Sequence, residues 1–340
     1  MRREPPAKIL AIQLKNLGDA MMMIPALNAI RDHWPACALH VLVTEEAVPL
    51  LQHLPGLARV WHLRRVHGEA RIRQTWPLIS ALRAERFDRL VDFSSSDRSA
   101  ILSRLCGAPE RLGAIYSGGF PGRRFCYTRR VAPAPLDQHE SRRLINVLSA
   151  WGVAPPRESK IEIRTDPAQD AFAAQILPAD TILCHMGGGK PKKQWPVRHW
   201  ATLHRIATDA GLRLAFTTGW NARERALVAE LKTLAPGATV LPEMADLRIF
   251  LAVVKRARAL ICGDTGPIHF AAGLSVPVIA LFGPTSPVRW RPLGQNCRIL
   301  TGSPCTCAGA TYDCESTRHC LGAISPEQVW ASLQTLLKPG

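Results

Sequence analysis

No stretch of this 340-residue chain approaches the roughly 18 charge-free apolar residues that a membrane-spanning helix needs; the most apolar segment, 259–283, is interrupted by Asp264 and His269. The opening MRREPPA runs straight into KILAIQL, which Lys15 soon breaks, so no secretory leader is expected there and a cytoplasmic location is. The turn after that first apolar run reads QLKNLGDAMMMIPAL and lacks the three spaced glycines of a dinucleotide fingerprint, which argues against an NAD-dependent dehydrogenase. Tyrosine is scarce, with three in the chain, and no aromatic residues interleave with basic ones in a stacking pattern. That weighs against a nucleic-acid-binding protein, and no nucleic acid is expected as a partner. There is no internal repeat, no low-complexity segment and no polybasic tail.

What is present is ordinary for a folded protein in amount and unusual in sign. Apolar residues make up 47% and charged residues 21%, enough to bury a sizeable core, and the length suits two domains. The net charge is +16, spread along both halves. A dispersed excess of this kind is either a solvated surface or a preference for acidic company: nucleic acid, an anionic membrane, or a phosphorylated substrate.

Short apolar runs alternate with amphipathic stretches. KILAIQL (8–14) reads as a buried strand and 20–33 as a helix, followed by strands at 39–44, 58–63, 88–93 and 110–116. Helices are expected at 74–86, 97–106 and 138–151, with a Gly-, Pro- and Arg-rich loop at 117–130. After the Gly/Pro cluster GVAPPRES (152–159) the alternation restarts, with strands at 181–186, 212–218, 238–241, 258–264 and 276–283. Helices are expected at 197–210, 222–234 and 246–256, and a last one at 325–337 opened by Ser-Pro-Glu. The expected fold is α/β: two doubly wound Rossmann-like domains, 1–155 and 156–340, facing across a cleft. The last helix is a candidate for packing back on the N-terminal domain. Ligands in such folds bind at the carboxyl ends of the parallel strands.

Six of the ten cysteines, Cys37, Cys106, Cys126, Cys184, Cys262 and Cys297, sit in apolar or plain settings and read as small buried hydrophobes. The other four, Cys305, Cys307, Cys314 and Cys320, crowd into CTCAGATYDCESTRHC. They could hold zinc or iron or close a local loop, although the paired C-x2-C spacing of a zinc site is absent.

Three constellations carry chemistry. In the first, a strand ends, Gly18 permits a tight turn, and Asp19 is either a helix cap or a carboxylate presented at the strand's carboxyl end. In the second, CHMGGGKPKKQWPVRHW (184–200), the amides of Gly187 to Gly189 with Lys190, Lys192 and Lys193 form a natural phosphate cradle, or else a solvated basic loop. It is not a Walker loop, since Pro191 stands where Ser or Thr belongs. In the third, GDTGPIHFAAGLSVPVIALFGPTSPVRW (263–290), a turn at Gly263–Gly266 and Pro267 open a helix whose free amides attract phosphate. Thr265 adds a hydroxyl, His269 lies in the first turn, and Gly283-Pro284-Thr285 makes a second loop at the same edge.

These three motifs, with KKQWPVRHW and the terminal cysteine cluster, resemble glycosyltransferase family 9, the ADP-heptose:lipopolysaccharide heptosyltransferases, over about residues 8–337. The resemblance implies a GT-B fold with an acceptor-binding N-terminal domain and a donor-binding C-terminal domain. It implies inverting transfer of heptose from ADP-L-glycero-D-manno-heptose to a lipopolysaccharide inner-core acceptor, by chemistry that needs no bound metal and no cofactor. The family's catalytic base falls on Asp19, and Lys193 matches the lysine before the Trp-Pro pair, a charge for the departing ADP. Asp264, Thr265, Gly266 and His269 match the donor motif, Gly187 and Gly188 would contribute backbone contacts, and Met244 matches a residue lining the adenine pocket.

The family pattern is not followed everywhere. Glycines 187–189 stand where members can have threonines, an acidic residue proposed for the ribose falls on Ala222 with Glu224 as its substitute, and Lys15 replaces small or polar residues. The acceptor is expected to be anionic and lipid-linked, held near Gly18 by Arg64, Arg65, Arg71, Arg73, Arg123 and Arg124 from N-domain loops, and each of these arginines alone reads as surface charge. Such an acceptor would bring a basic protein into peripheral contact with the cytoplasmic face of an anionic inner membrane. The alternatives are a related transferase acting on a protein or capsule glycan or using another nucleotide sugar, and a non-catalytic nucleotide sensor.

Overall fold

The computed structural model describes residues 5–64, 70–156, 159–219, 221–302 and 320–338, the side chains of 70–74 excepted. The chain forms two compact units, Met1–Ile161 and Glu162–Gly340. The first contains β1 (Lys8–Gln13), α1 (Leu17–His33), β2 (Ala38–Thr44), α2 (Val48–Leu51), β3 (Leu57–Leu63), α3 (Ala70–Ala84), β4 (Arg89–Asp92), α4 (Asp97–Leu105), β5 (Glu110–Ala114), β6 (Arg129–Val131) and α5 (Glu140–Val147). The second contains α6 (Pro167–Ile176), β7 (Thr181–His185), α7 (Val197–Asp209), β8 (Arg213–Thr217), α8 (Ala222–Leu234) and β9 (Thr239–Val240). It continues with α9 (Leu247–Arg256), β10 (Ala259–Gly263), α10 (Gly266–Gly273), β11 (Val278–Phe282), α11 (Pro287–Trp290), β12 (Cys297–Thr301) and α12 (Pro326–Leu337).

Each unit holds one six-stranded sheet, ordered β3-β2-β1-β4-β5-β6 and β12-β11-β10-β7-β8-β9, with every pairing parallel. Strands covered on both faces must be apolar throughout, and β7, β10 and β11 are buried along their whole length. In both sheets the chain reverses its direction of growth beside the first strand, between β1 and β4 and between β7 and β10. At that point the loops leaving the two strands splay apart and open a crevice at the carboxyl edge.

The core of the second unit gathers Trp195, Trp200 and Phe216 with Val329 and Leu333 of α12. The last helix therefore builds the core of its own unit and packs on α7. Trp195 and Trp200 meet edge to face at 4.7 Å, and the Trp195 indole N–H donates to the Ile324 carbonyl at 2.9 Å. That bond ties the loop after β7 to the start of α12.

Some expectations need correcting. The first helix starts at Leu17 rather than Ala20, so Gly18 and Asp19 lie in its first turn and Gly18 does not adopt a positive φ. Arg71 and Arg73 belong to α3, not to a loop. The 117–130 loop contains a 3-10 turn, Arg123–Cys126, and the first residues of β6. The strands β6 and β12 and the helix α6 were not foreseen. All three lie at margins where burial imposes little pattern: β6 is largely exposed, β12 only partly buried, and α6 fully buries a single residue, Ala173.

Candidate active site

The carboxyl edge of the second sheet assembles most of the charged motif residues. The loop after β7 carries Gly187, Gly188 and Lys193; the turn after β10 carries Asp264 and Thr265. The Lys193 ammonium donates to the Asp264 carboxylate at 2.7 Å and to the Asp264 carbonyl at 3.3 Å, with both side chains largely buried. Gly263 makes that meeting possible. A Cβ at this position would lie 2.6 Å from the Lys193 carbonyl oxygen, so only glycine lets the lysine loop close over the end of β10.

Thr265 is the N-cap of α10, with Gly266 and Pro267 as the first two helical residues. Pro267 has no N–H and the Ile268 N–H donates to the Thr265 carbonyl at 3.2 Å, which leaves the Gly266 amide as the first-turn donor at the edge where Lys193 arrives. The Thr265 hydroxyl lies 3.2 Å from the Cys262 sulfur. His269, one turn into α10, is buried. Thr285, from the loop after β11, is also buried, and its hydroxyl has no hydrogen-bond partner among the described residues. Met244 follows β9 at the same edge and is half-buried.

Glu224 supports the loop after β7. Its carboxylate is buried, accepts from the Gly188 N–H at 3.0 Å, and receives the Asn221 side-chain amide. A Cβ on Gly187 would sit 2.6 Å from the Glu224 carboxylate and 2.8 Å from His185 Nε2. The glycines that replace threonines thus admit a carboxylate that braces the loop from below. His185 itself shares a hydrogen bond with the Thr217 hydroxyl at 2.9 Å, and burial lowers its pKa to about 4. The imidazole is therefore neutral at physiological pH.

In the first unit, Asp19 lies at the third position of α1 and is half-buried. One carboxylate oxygen accepts from the Asn16 N–H at 3.2 Å, the reach-back of a capping box, so capping and presentation of the carboxylate coexist. Beside it, at the end of β4, the sequence DFSSSDRS builds a network that motif reading missed. Asp92 is wholly buried and accepts from the N–H groups of Ser94 (2.9 Å) and Ser95 (3.1 Å) and from the Tyr127 hydroxyl (2.6 Å). Burial raises the Asp92 pKa, and those hydrogen bonds oppose the rise. The Ser94 hydroxyl in turn accepts from the Leu14 N–H at 2.6 Å, fastening the β4 loop to the segment that leads into Asp19. The legible signal was a run of serines following an Asp at a strand's end.

The arginines expected to hold the acceptor divide. Arg123 is buried, and its guanidinium is engaged by the carbonyls of Tyr116 (2.6 Å) and Ser95 (3.4 Å) and by Asp97 (3.5 Å), so it stitches loops together. Arg64 is exposed and pairs with Glu45 at 3.4 Å. Arg124 is exposed, over the Phe125 ring at 4.7 Å. Arg65 lies outside the described residues, as do Cys305, Cys307 and Cys314, while Cys320 is half-buried. Among the described residues no group of three or more His, Cys, Asp or Glu is placed to hold a metal, and no helix is long and apolar enough to cross a membrane.

Residues 75–315 match the family described as glycosyltransferase family 9 (heptosyltransferase). The chain belongs to that family. As a family 9 glycosyltransferase it is 26% identical to lipopolysaccharide heptosyltransferase 1 of Pseudomonas aeruginosa, covering 97% of this chain and 98% of that one. Among solved structures, a family 9 glycosyltransferase from Veillonella parvula superposes with a TM-score of 0.82 at 21% identity, over 97% of both chains. The E. coli heptosyltransferase WaaC with ADP gives 0.75 at 21% identity, over 97% and 99%. The GT-B fold class expected from the motifs is the one this family 9 chain shares with them.

Proposed function

We propose that this family 9 enzyme transfers a heptose, with inversion, from ADP-L-glycero-D-manno-heptose to the inner core of a lipopolysaccharide acceptor. Two observations from relatives support the substrates: the Pseudomonas relative is a lipopolysaccharide heptosyltransferase, and the E. coli neighbour was solved with ADP. The feature of this chain that carries the reading is the Lys193–Asp264 pair at the β7/β10 switch point, flanked by the Gly188 loop and the first turn of α10.

A nucleoside diphosphate bound there meets one ammonium group and the Gly266 amide at the positive end of α10, which balance the charge that develops as ADP departs. Thr265 and Gly266 serve the diphosphate, Asp264 the sugar, and Met244 the adenine. Asp19 takes the proton from the acceptor hydroxyl while its oxygen bonds to the anomeric carbon and the carbon–oxygen bond to ADP breaks. Attack opposite the leaving group inverts the centre. No resident metal or cofactor enters these steps. The enzyme would work in the cytoplasm, in peripheral contact with the inner leaflet that carries its acceptor.

The test is ADP release from purified protein given ADP-heptose and truncated core acceptors. Acceptor-dependent release is expected, falling by about 10²–10⁴ in Asp19→Ala with ADP binding retained by calorimetry. Tight ADP-heptose binding without turnover on any core acceptor would reject the acceptor; absence of ADP-heptose binding would reject the donor.

A further inference from the structure

Resting on the lipid-linked acceptor just proposed, we infer that the flank of the first unit formed by α4 and the turn Arg123–Cys126 is the surface that docks onto the anionic bilayer. The two elements pack directly together, and Ala100 of α4 shares a small apolar cluster with Cys126 and Tyr127. Two large apolar side chains are nonetheless turned outward from this flank. Phe125 is 65% exposed and Ile101 is 46% exposed.

The surrounding charge is predominantly positive. Arg104 follows Ile101 by three residues and so shares its helix face, and it is exposed. It is near enough to Arg111 that its charge, after burial, helps lower the Arg111 pKa, and both charges act on the Cys126 thiol next to Phe125. The Arg124 guanidinium sits over the Phe125 ring at 4.7 Å. The one carboxylate within α4 and residues 122–128, Asp97, is occupied by Arg123 at 3.5 Å and by the Phe120 N–H at 3.3 Å. An apolar pair rimmed by arginines, whose one exposed carboxylate is already taken up by Arg123, is costly to keep in water and complementary to a negatively charged lipid surface. Arg123 and Asp97 join this flank to the loops at the carboxyl edge where Asp19 lies, so docking here leaves the sugar end of a lipid-anchored acceptor near that edge.

The experiment is co-sedimentation of the full chain with phosphatidylcholine vesicles, with and without phosphatidylglycerol, alongside turnover of a delipidated, water-soluble core oligosaccharide. The wild type should bind the phosphatidylglycerol vesicles in a salt-sensitive way and leave pure phosphatidylcholine unbound. Ile101→Ser with Phe125→Ser should weaken binding by about tenfold or more, and Arg104→Glu by several fold. Soluble-acceptor turnover and thermal stability should be unchanged in both. Equal binding by the double variant, or no preference of the wild type for the anionic vesicles, overturns the inference. Loss of turnover on the soluble acceptor in the wild type would instead sink the transferase reading, and the vesicle comparison would still decide the docking surface.

Discussion

The two sheets have the same connectivity: counted from its own first strand, each unit runs 3-2-1-4-5-6. Their switch points are furnished in opposite ways. Beside β7 and β10 lies a close ion pair, Lys193–Asp264, set among glycines that let backbone approach. Beside β1 and β4 the loop after β1 carries Lys15 and leads into Asp19, and the loop after β4 brings serine hydroxyls, with a glutamine and a buried carboxylate at the strand ends. The shared scaffold gives both units a crevice at the same place. What fills the crevice decides whether it holds an anion or presents a base, so in this fold chemistry is a property of loops and not of topology.

That contrast is sharpest when each side loses its charge. Lys193→Ala is expected to lower kcat/KM by about 10²–10³, with ADP affinity falling in step. Asp19→Ala should lower turnover comparably and leave ADP affinity alone. The lysine variant also strands Asp264, which is buried, and a second change, Asp264→Asn, should restore part of the lost stability. Calorimetric titration with ADP against the four proteins checks this; equal loss of ADP affinity in both single variants would erase the division of labour.

The second prediction concerns pH. His185 has a folded pKa of about 4 against an ordinary 6.5, because burial disfavours the imidazolium. The unfolded chain therefore binds a proton that the native state refuses between these values. Stability from this group is complete above pH 6.5 and is lost as pH falls towards 4, by up to ~3 kcal/mol. Denaturant unfolding across that window should show the decline. No matching histidine lies at the β1/β4 switch point, but the buried His40 on β2 has its pKa lowered by burial in the same direction, so His185→Gln, which cannot titrate, is expected to flatten the decline in part.

How much of this was legible depended on whether burial or approach left a mark in the sequence. Strands covered on both faces, such as those at 8–14 and 276–283, announced themselves as apolar runs. The motif loops were legible because glycine, lysine and threonine at strand ends are hard to explain otherwise. The edge strand β6 and the pairing of Asp92 with Tyr127, 35 residues apart, were not, since neither an exposed arginine run nor a distant hydroxyl leaves a periodic trace. Arg123 was legible as a charge but not as a buried one. Its engagement by the carbonyls of Tyr116 and Ser95 is a tertiary fact.

Gly263→Ala tests whether close approach at the β10 edge is required. The added methyl would meet the Lys193 carbonyl at 2.6 Å and must push the loop away. A loss of about 1–3 kcal/mol in unfolding free energy is expected, together with weaker ADP binding as Lys193 moves off Asp264. Retained ADP affinity at reduced stability would mean that the loop rebuilds its geometry around the methyl.

The smallest effect belongs to the brace under that loop. Glu224→Gln keeps an acceptor oxygen for the Gly188 N–H but sets a second amide against that of Asn221, which must turn over to accommodate it. About 1 kcal/mol of stability should be lost, with a donor KM raised a few fold and kcat little changed. Glu224→Ala should raise KM further, because nothing then holds the Gly188 amide in place. A 2′-deoxyribose donor separates this role from a contact with the ribose. If Glu224 acts on the loop, the variant's penalty is the same for both donors. If it touches the ribose, the penalty disappears with the missing hydroxyl, and the brace becomes a binding residue.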